Sequence, residues 1–206
     1  ASDVYKRQDL HLGDTNILHD MDRPFGSVEE MNRKVIDAIN ECVAADDRLY
    51  ILGDFTYRLP LAEAVRLRER IECQNVTLIR GNHDGDWEDS DVPRIWEDVR
   101  DYLEIAPGYA KGHRLVMSHY PMLSWNGKAR GAIMLHGHIH KSEDQVLVDR
   151  FSTETRAMMR KSAHQETAQP VPCQMINCFC MYSDYTPLTL EEWVECDQRR
   201  RDKADR

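Results

Sequence analysis

No run of about 18 consecutive apolar residues, the length that crosses a bilayer as a helix, occurs in this chain of 206 residues. The charged and apolar regions of a secretory leader are missing too. A cytoplasmic protein with no membrane association is therefore expected. Cysteine is scarce: six residues, at 42, 73, 173, 178, 180 and 196, with no Cys-x-x-Cys pair among them. That scatter argues against a disulfide scaffold and a zinc knot, and for reduced thiols. Positive charge is also short. There are 27 Lys and Arg against 36 Asp and Glu, a net charge of -9. Such a surface lacks the field that draws long nucleic acid, and no basic stretch interleaved with aromatics is present. The balance does not count against a metalloenzyme, because carboxylates that hold cations register as negative. No internal repeat is present, and oligomeric state cannot be read.

What is there is the balance of a globular protein, 41% hydrophobic and 31% charged. The length fits one domain, expected over residues 1–196, with DQRRRDKADR at 197–206 as a solvated, mobile tail. Residues 27–45 are predicted helical, with Val28, Met31, Val35, Ile39 and Cys42 on one face and Ser27 and Glu30 as a capping box. LYIL at 49–52 reads as a buried strand, and Pro60 opens a helix carrying Leu61, Ala64, Val65, Arg68 and Ile71. VTLI at 76–79 is the next strand. The spacing of Ile95, Val99 and Tyr102 predicts a helix starting near Pro93. RLVMS at 114–118, AIML at 132–135 and QVLVD at 145–149 read as strands, 150–170 as a long loop, and MINCFC at 175–180 as a late strand. Thr189 and Glu192 cap a terminal helix. Strands and helices alternate first and strands then dominate, which predicts an α/β fold of mixed sheets flanked by helices.

Five polar clusters punctuate this pattern: Asp9-Leu10-His11, Gly53-Asp54, Gly81-Asn82-His83-Asp84, Ser118-His119-Tyr120 and Gly137-His138-Ile139-His140. Four of them directly follow apolar runs, where α/β proteins place their chemistry. Each alone has a plainer reading as a turn, a helix cap or a surface histidine. Jointly they bring carboxylates, imidazoles and one amide, the donor types that borderline divalent cations take.

These motifs, in this order, resemble the calcineurin-like metallophosphoesterases: DLH at 9–11, GD at 53–54, GNHD at 81–84, SH at 118–119 and GHIH at 137–140. The stretch NILHDMDRPFGSVEEMN and HYP at 119–121 look like a small bacterial and phage-type branch. The resemblance implies a layered β-sandwich and two divalent metal ions (Mn, Fe, Ni, Co or Zn). Asp9, His11 and His140 would hold one ion; Asn82, His119 and His138 would hold the other; Asp54 would bridge them. It implies hydrolysis of phosphoric esters by in-line attack of a bridging hydroxide on a small diester or monoester. A nuclease or cyclic-nucleotide phosphodiesterase, or an idle metal-bound binding module, are alternatives. His83 is the candidate general acid, and Asp84 is expected to orient its imidazole. Arg80 is expected to reach either phosphate or the acidic loop, and Arg58 is a weaker phosphate candidate. Trp87, Tyr120 and Trp125 are candidates to stack on a base or an aromatic leaving group, or to cover the core edge.

Two departures stand out. Asp14 occupies a place where that branch usually has His; it can accept a hydrogen bond from a ligand histidine or from substrate-side water, and is expected not to touch metal. ASDVYKRQ offers only Val4 and Tyr5 as apolar residues where the family has an apolar first strand. The expectation is an atypical, weakly held strand at an altered junction.

Overall fold

The computed structural model describes residues 4–7, 10–87, 94–110, 112–161 and 166–204. Two four-stranded sheets lie face to face. The first is wholly parallel, in the order β1 (Val4–Arg7), β2 (Arg48–Ile51), β3 (Asn75–Ile79) and β4 (Asp98–Arg100). The second has the order β10 (Gln174–Asn177), β7 (Ile133–His136), β6 (Leu115–Ser118) and β5 (Tyr102–Ile105), parallel except for the β5–β6 pair. Helices α1 (Asn16–Asp20), α2 (Val28–Cys42) and α3 (Leu61–Glu69) lie in the first half of the chain. Helices α4 (Glu143–Ala157) and α5 (Leu190–Ala204) follow, with a small hairpin of β8 (Met159–Arg160) and β9 (Gln169–Pro170) between them.

Strand alternation builds the layers, because successive side chains point to opposite faces. Leu49 and Ile51 of β2 pack with Met31, Val35, Ile36 and Ile39 of α2. Tyr50 and Leu52 turn the other way and meet Leu115, Met117, Ile133 and Leu135 of the second sheet. Val116 and Met134 leave that second sheet on its outer face, beside Trp125, Met175 and Phe151 of α4. Both faces of the central strands are buried, which explains their near-continuous apolar runs.

The helix starts follow the capping rules, with one variation. Ser27 Oγ accepts from Glu30 N at 3.1 Å, while Glu30 reaches back one residue further than a capping box does, to Gly26 N at 2.8 Å. At the last helix the box is reciprocal: Glu192 Oε2 accepts from Thr189 N at 2.7 Å, and Thr189 Oγ1 accepts from Glu192 N at 3.4 Å.

Four expectations are corrected. Pro93, the expected helix start, lies outside the described residues; over the described part the expected helix is instead β4 and β5, with Val99 opposite Leu78 and Leu103 opposite Met117. Valine, isoleucine and tyrosine spaced by three or four fit a short strand pair as well as a helix, and pairing to existing strands decides. QVLVD is not a strand but the first half of α4, announced by Ser142 and by Glu143 and Asp144 in the first turn. The long loop expected over 150–170 is largely that helix and the β8–β9 hairpin; residues 162–165 lie outside the described residues. The charged stretch expected as a mobile tail from 197 continues α5 to Ala204. There Arg200 grips Asp149 at 2.6 and 2.7 Å, and Arg201 Nε meets Asp197 at 2.7 Å. The first strand does form: Val4–Arg7 pairs with Arg48–Ile51, a register held by backbone bonds that are indifferent to side-chain polarity.

Candidate metal centre

The parallel strands end on one side of the sandwich, and the polar clusters follow those ends. Asp54 comes after β2, Gly81 to Asp84 after β3, His119 after β6, and His138 and His140 after β7. Three backbone hydrogen bonds stitch the ends together: His11 N to Asp54 O at 2.9 Å, Leu12 N to Phe55 O at 3.1 Å, and Gly137 N to His119 O at 2.9 Å. His11 is thus placed by pairing with residues 54–55. Asp9 lies outside the described residues.

Two glycines are required for this convergence. Gly53 has φ +96°, and a Cβ there would collide with the His119 imidazole. A Cβ on Gly81 would collide with the carboxylate and amide of Asp54. Non-glycine residues also adopt left-handed backbone here. Of eight such residues among those described, four are expected ligands: His11, Asp54, His138 and His140. Left-handed backbone costs a side-chain-bearing residue about 1–2 kcal/mol, and such strain clusters where function demands an orientation. For His138 and His140 this turn replaces strand alternation, so the two imidazoles need not point to opposite faces.

At the middle stands Asp54, about 1% exposed. Its Oδ2 lies 3.4 Å from His11 Nε2 and 3.4 Å from His119 Nε2, imidazoles delivered by opposite halves of the chain. Its Oδ1 accepts from the main-chain N–H of His83 at 2.9 Å. Burial pushes the Asp54 carboxyl up, but His11 and His119, when a proton sits on the nitrogen that faces it, and the His83 amide outweigh burial and hold it far below the usual carboxylate range.

His119 Nδ1 lies 2.9 Å from Leu52 O, where it donates its proton. In the neutral ring Nε2 then carries a lone pair. That lone pair faces Asn82 Oδ1 at 3.1 Å, His138 Nδ1 at 3.2 Å and Asp54 Oδ2 at 3.4 Å. His119 Nε2, Asn82 Oδ1 and Asp54 Oδ2 are acceptors crowded at one point, which a positive charge in their midst would relieve. Among the described residues, Asp54, His119 and His138 present ligand atoms within 4.8 Å of one another. The donor chemistry therefore fits a divalent cation of the borderline class.

The flanking residues hold these ligands in place. Asp14 Oδ2 lies 3.2 Å from His11 Nδ1, and its Oδ1 accepts from Asn16 N at 2.9 Å and Ile17 N at 3.3 Å. Burial raises the Asp14 carboxyl, but the His11 hydrogen bond and these amides bring it net below the ordinary range. Asp14 thus fixes the His11 ring, the histidine side of its two expected partners. Asp84 differs from expectation. Its oxygens accept from Phe55 N and Gly81 N, each at 2.8 Å, and so tie the Asp54 loop to the 81–84 loop. An anion that serves two amides on separate loops is positioned by them, and the His83 ring is flanked by Tyr57 instead, centroids 4.6 Å apart. Burial pushes the Asp84 carboxyl up to about 6, with the Asp54 charge adding to the rise and the Gly81 and Phe55 amides opposing it. The His83 imidazole is pushed below its ordinary value by burial, partly offset by Asp54.

Other candidates resolve by packing. Arg80 forms a two-pronged pair with Asp101, at 2.8 and 3.2 Å, a carboxylate between β4 and β5 and not one of the acidic loop. The Arg58 guanidinium lies over the Tyr57 ring at 5.2 Å. Trp87 and Trp125 are buried, Trp87 against Phe55 and Trp96, and Trp125 bonding through Nε1 to Ala132 O at 2.9 Å. Tyr120 alone of the three is exposed at the centre, its hydroxyl donating to Asn82 Oδ1 at 3.3 Å. The six cysteines are thiols, with no disulfide.

Several supporting residues carry no motif. Phe179 stacks on the His140 ring, 4.8 Å between centroids. Asn177 Nδ2 donates to His140 O at 3.0 Å and to Gln145 Oε1 at 2.7 Å. Arg23, buried, donates from Nη1 to Leu10 O at 2.8 Å. Asn177 had one available signal, a polar residue at the carboxyl end of a strand; Phe179 and Arg23 had none.

Comparison with known proteins agrees with this geometry. The family described as calcineurin-like phosphoesterase matches residues 9–171. An uncharacterized protein of Methanocaldococcus jannaschii is 33% identical over 139 residues, covering 66% of this chain and 69% of its own. The crystal structure of a protein of unknown function from Aquifex aeolicus superposes with a TM-score of 0.66 at 20% identity, covering 95% of this chain and 99% of that one. A nuclease of Pseudomonas putida, described as MPE, superposes with a TM-score of 0.42 at 24% identity over 66% of this chain and 61% of its own.

Proposed function

The chain belongs to the calcineurin-like phosphoesterase family, and we propose that it is a metal-dependent hydrolase of small phosphoric esters with a dinuclear centre. The observation that carries this reading is Asp54 Oδ2, 3.4 Å from both His11 Nε2 and His119 Nε2. One carboxylate between two imidazole groups supports a bridging role, with Asp9, His11 and His140 holding one ion and Asn82, His119 and His138 the other. Mn, Fe, Ni, Co and Zn suit this mixture of donors, whereas Mg is a poorer match for imidazole. Bound there, such ions would supply Lewis-acid chemistry that acidifies water and offsets phosphate charge.

The chain's own residues do the rest. His83 is anchored by its main-chain N–H on Asp54 and by Tyr57 against its ring. An imidazole N–H of His83 is therefore set to donate to the ester oxygen as the phosphorus–oxygen bond breaks. Asp84 holds the two loops that carry Asp54 and His83 at a constant separation, so it acts as a positioning residue. The thiols support a cytoplasmic location, no helix among the described residues is long and apolar enough to cross a membrane, and the NILHDMDRPFGSVEEMN stretch supports the small bacterial and phage-type branch.

Metal analysis with a substrate panel tests the reading. The manganese-loaded protein is expected to hydrolyse an aryl phosphodiester or monoester in preference to single-stranded nucleic acid, and Asp54→Asn to abolish turnover. Two bound metals with no turnover of any ester would instead make the protein a binding module, and preference for the nucleic acid would make it a nuclease.

A further inference from the structure

Next to the centre lies a cavity of about 350 Å³ walled by the Tyr120–Leu123 segment and the face of α4 that carries Leu147 and Phe151. His138 lines it as well, so cavity and centre share a wall. Tyr120 forms that wall: its ring lies 4.5 Å from the His138 ring, and its hydroxyl is tied to Asn82. Apart from Tyr120 and His138 the lining side chains are apolar, and its one carboxylate is Asp144; no Lys or Arg is among the described lining residues. Leu123 and Leu147 are 69% and 62% exposed. Apolar surface left in water at the mouth of a cavity marks a binding surface more often than chance, and covering it is worth about 25 cal/mol per Å².

We infer that this cavity receives an uncharged, planar apolar group, the organic half of a phosphoester whose phosphorus sits at the Asp54–His119–His138 cluster. The inference rests on the proposed hydrolase reading and specifies its substrate class. Charge selects the occupant. A second phosphate or a carboxylate would meet Asp144, while Lys128, the cation beside the lining, is already engaged with Leu123 O at 2.7 Å and the Phe151 ring at 5.1 Å. An aromatic ring finds Tyr120 and Phe151 for stacking and Leu123 and Leu147 as flanks. The volume sits at the lower end of the ~300–1,000 Å³ typical of small-molecule sites, which suits a group of one or two rings rather than a polymer.

Titration calorimetry of the manganese-loaded protein with methylphosphonate and with phenylphosphonate tests it. Both probes bring the same charged head; they differ only in what enters the cavity. Phenylphosphonate is expected to bind about tenfold more tightly, the effect of burying one ring. Leu147→Lys and Leu123→Lys, both at exposed positions, should each bring the ratio of the two affinities near one. Equal binding of the two phosphonates by the parent protein would overturn the inference and leave the metal centre standing. Binding of neither by metal-loaded protein would remove the hydrolase reading, and the inference with it. Sedimentation velocity completes the test: a dimer that Leu147→Lys dissolves, with a parent ratio near one, would assign this face to a second copy of the chain.

Discussion

Asp14 Oδ2 stands 3.2 Å from His11 Nδ1, so the carboxylate takes one imidazole nitrogen and leaves the other facing Asp54 at 3.4 Å. The tautomer and ring direction of a metal ligand are commonly fixed in this way, and loss of the outer partner costs about 10–100-fold in metal affinity. Asp14→Asn, whose amide oxygen can still cap Asn16 and Ile17, is expected to weaken binding at the His11 site by about tenfold with little loss of thermal stability. Metal titration alongside thermal unfolding checks this; an unchanged affinity would make the His11 contact incidental.

Gly53 and Gly81 should be intolerant of alanine. Gly53→Ala would combine a left-handed backbone with a methyl group driven into His119, and Gly81→Ala would press on Asp54. Overpacking of this kind costs about 1–3 kcal/mol, to which the positive φ at Gly53 adds about 1–2 kcal/mol. The midpoint of denaturant unfolding should fall for both, and metal binding should weaken more than for substitution at Gly85, where a Cβ meets nothing.

His83→Gln should reduce turnover by about 10²–10⁴-fold, the range of general acid–base catalysis, while metal content stays at the parent level. The loss should be largest for esters with poor leaving groups, since nitrophenolate departs without a proton. A loss independent of the leaving group would make His83 a phosphate contact only.

The half-buried Asp84 predicts a pH dependence of stability in the metal-free protein. Its folded-state pKa is raised to about 6, above the ordinary carboxylate value near 3.9. Between those values the folded state binds the proton more tightly than the unfolded chain. The contribution of Asp84 is therefore present at acid pH and is lost as pH rises from about 4 to 6. Asp54 has the opposite sign: its folded pKa is depressed, so its contribution stands above about pH 4 and is lost on further acidification. The difference in unfolding free energy between the parent and Asp84→Asn, followed from pH 4 to 7, should change through the window below 6 and level off above it.

The carboxyl-terminal helix should be integral to the fold. Arg200 and Arg201 are largely buried where they grip Asp149 of α4 and Asp197. Arg200→Ala strands Asp149 half of its partners and should lower the melting temperature by several degrees, of order 1–3 kcal/mol. An unchanged melting temperature would return this segment to the status of a solvated tail.

Much of the site is local in origin and therefore legible in the chain. An apolar run that ends at glycine and a short polar residue encodes a strand, a sharp turn and a side chain at its end, as at Leu52-Gly53-Asp54 and at His136-Gly137-His138. Five clusters of compatible donors, four of them directly after apolar runs, were enough to point to the chemistry. What periodicity could not carry was any relationship between distant segments. QVLVD became a helix because a helical first turn and continued pairing to α5 through Asp149 outweigh a short apolar run, and its leucine and first valine then faced solvent. Arg80 turned to Asp101 and Asp84 to two backbone amides because the second sheet and the neighbouring loops supplied partners only once the chain had folded. The left-handed turns at His11, Asp54, His138 and His140 have only a weak marker in residue type, since Asp and His are enriched in that conformation but no glycine stands there. They are set by the packing of two sheets whose strand ends must meet around one carboxylate. The donor set was written along the chain; its convergence, and the apolar cavity beside it, belong to the tertiary structure, because distance in space is decided by packing and not by order in sequence.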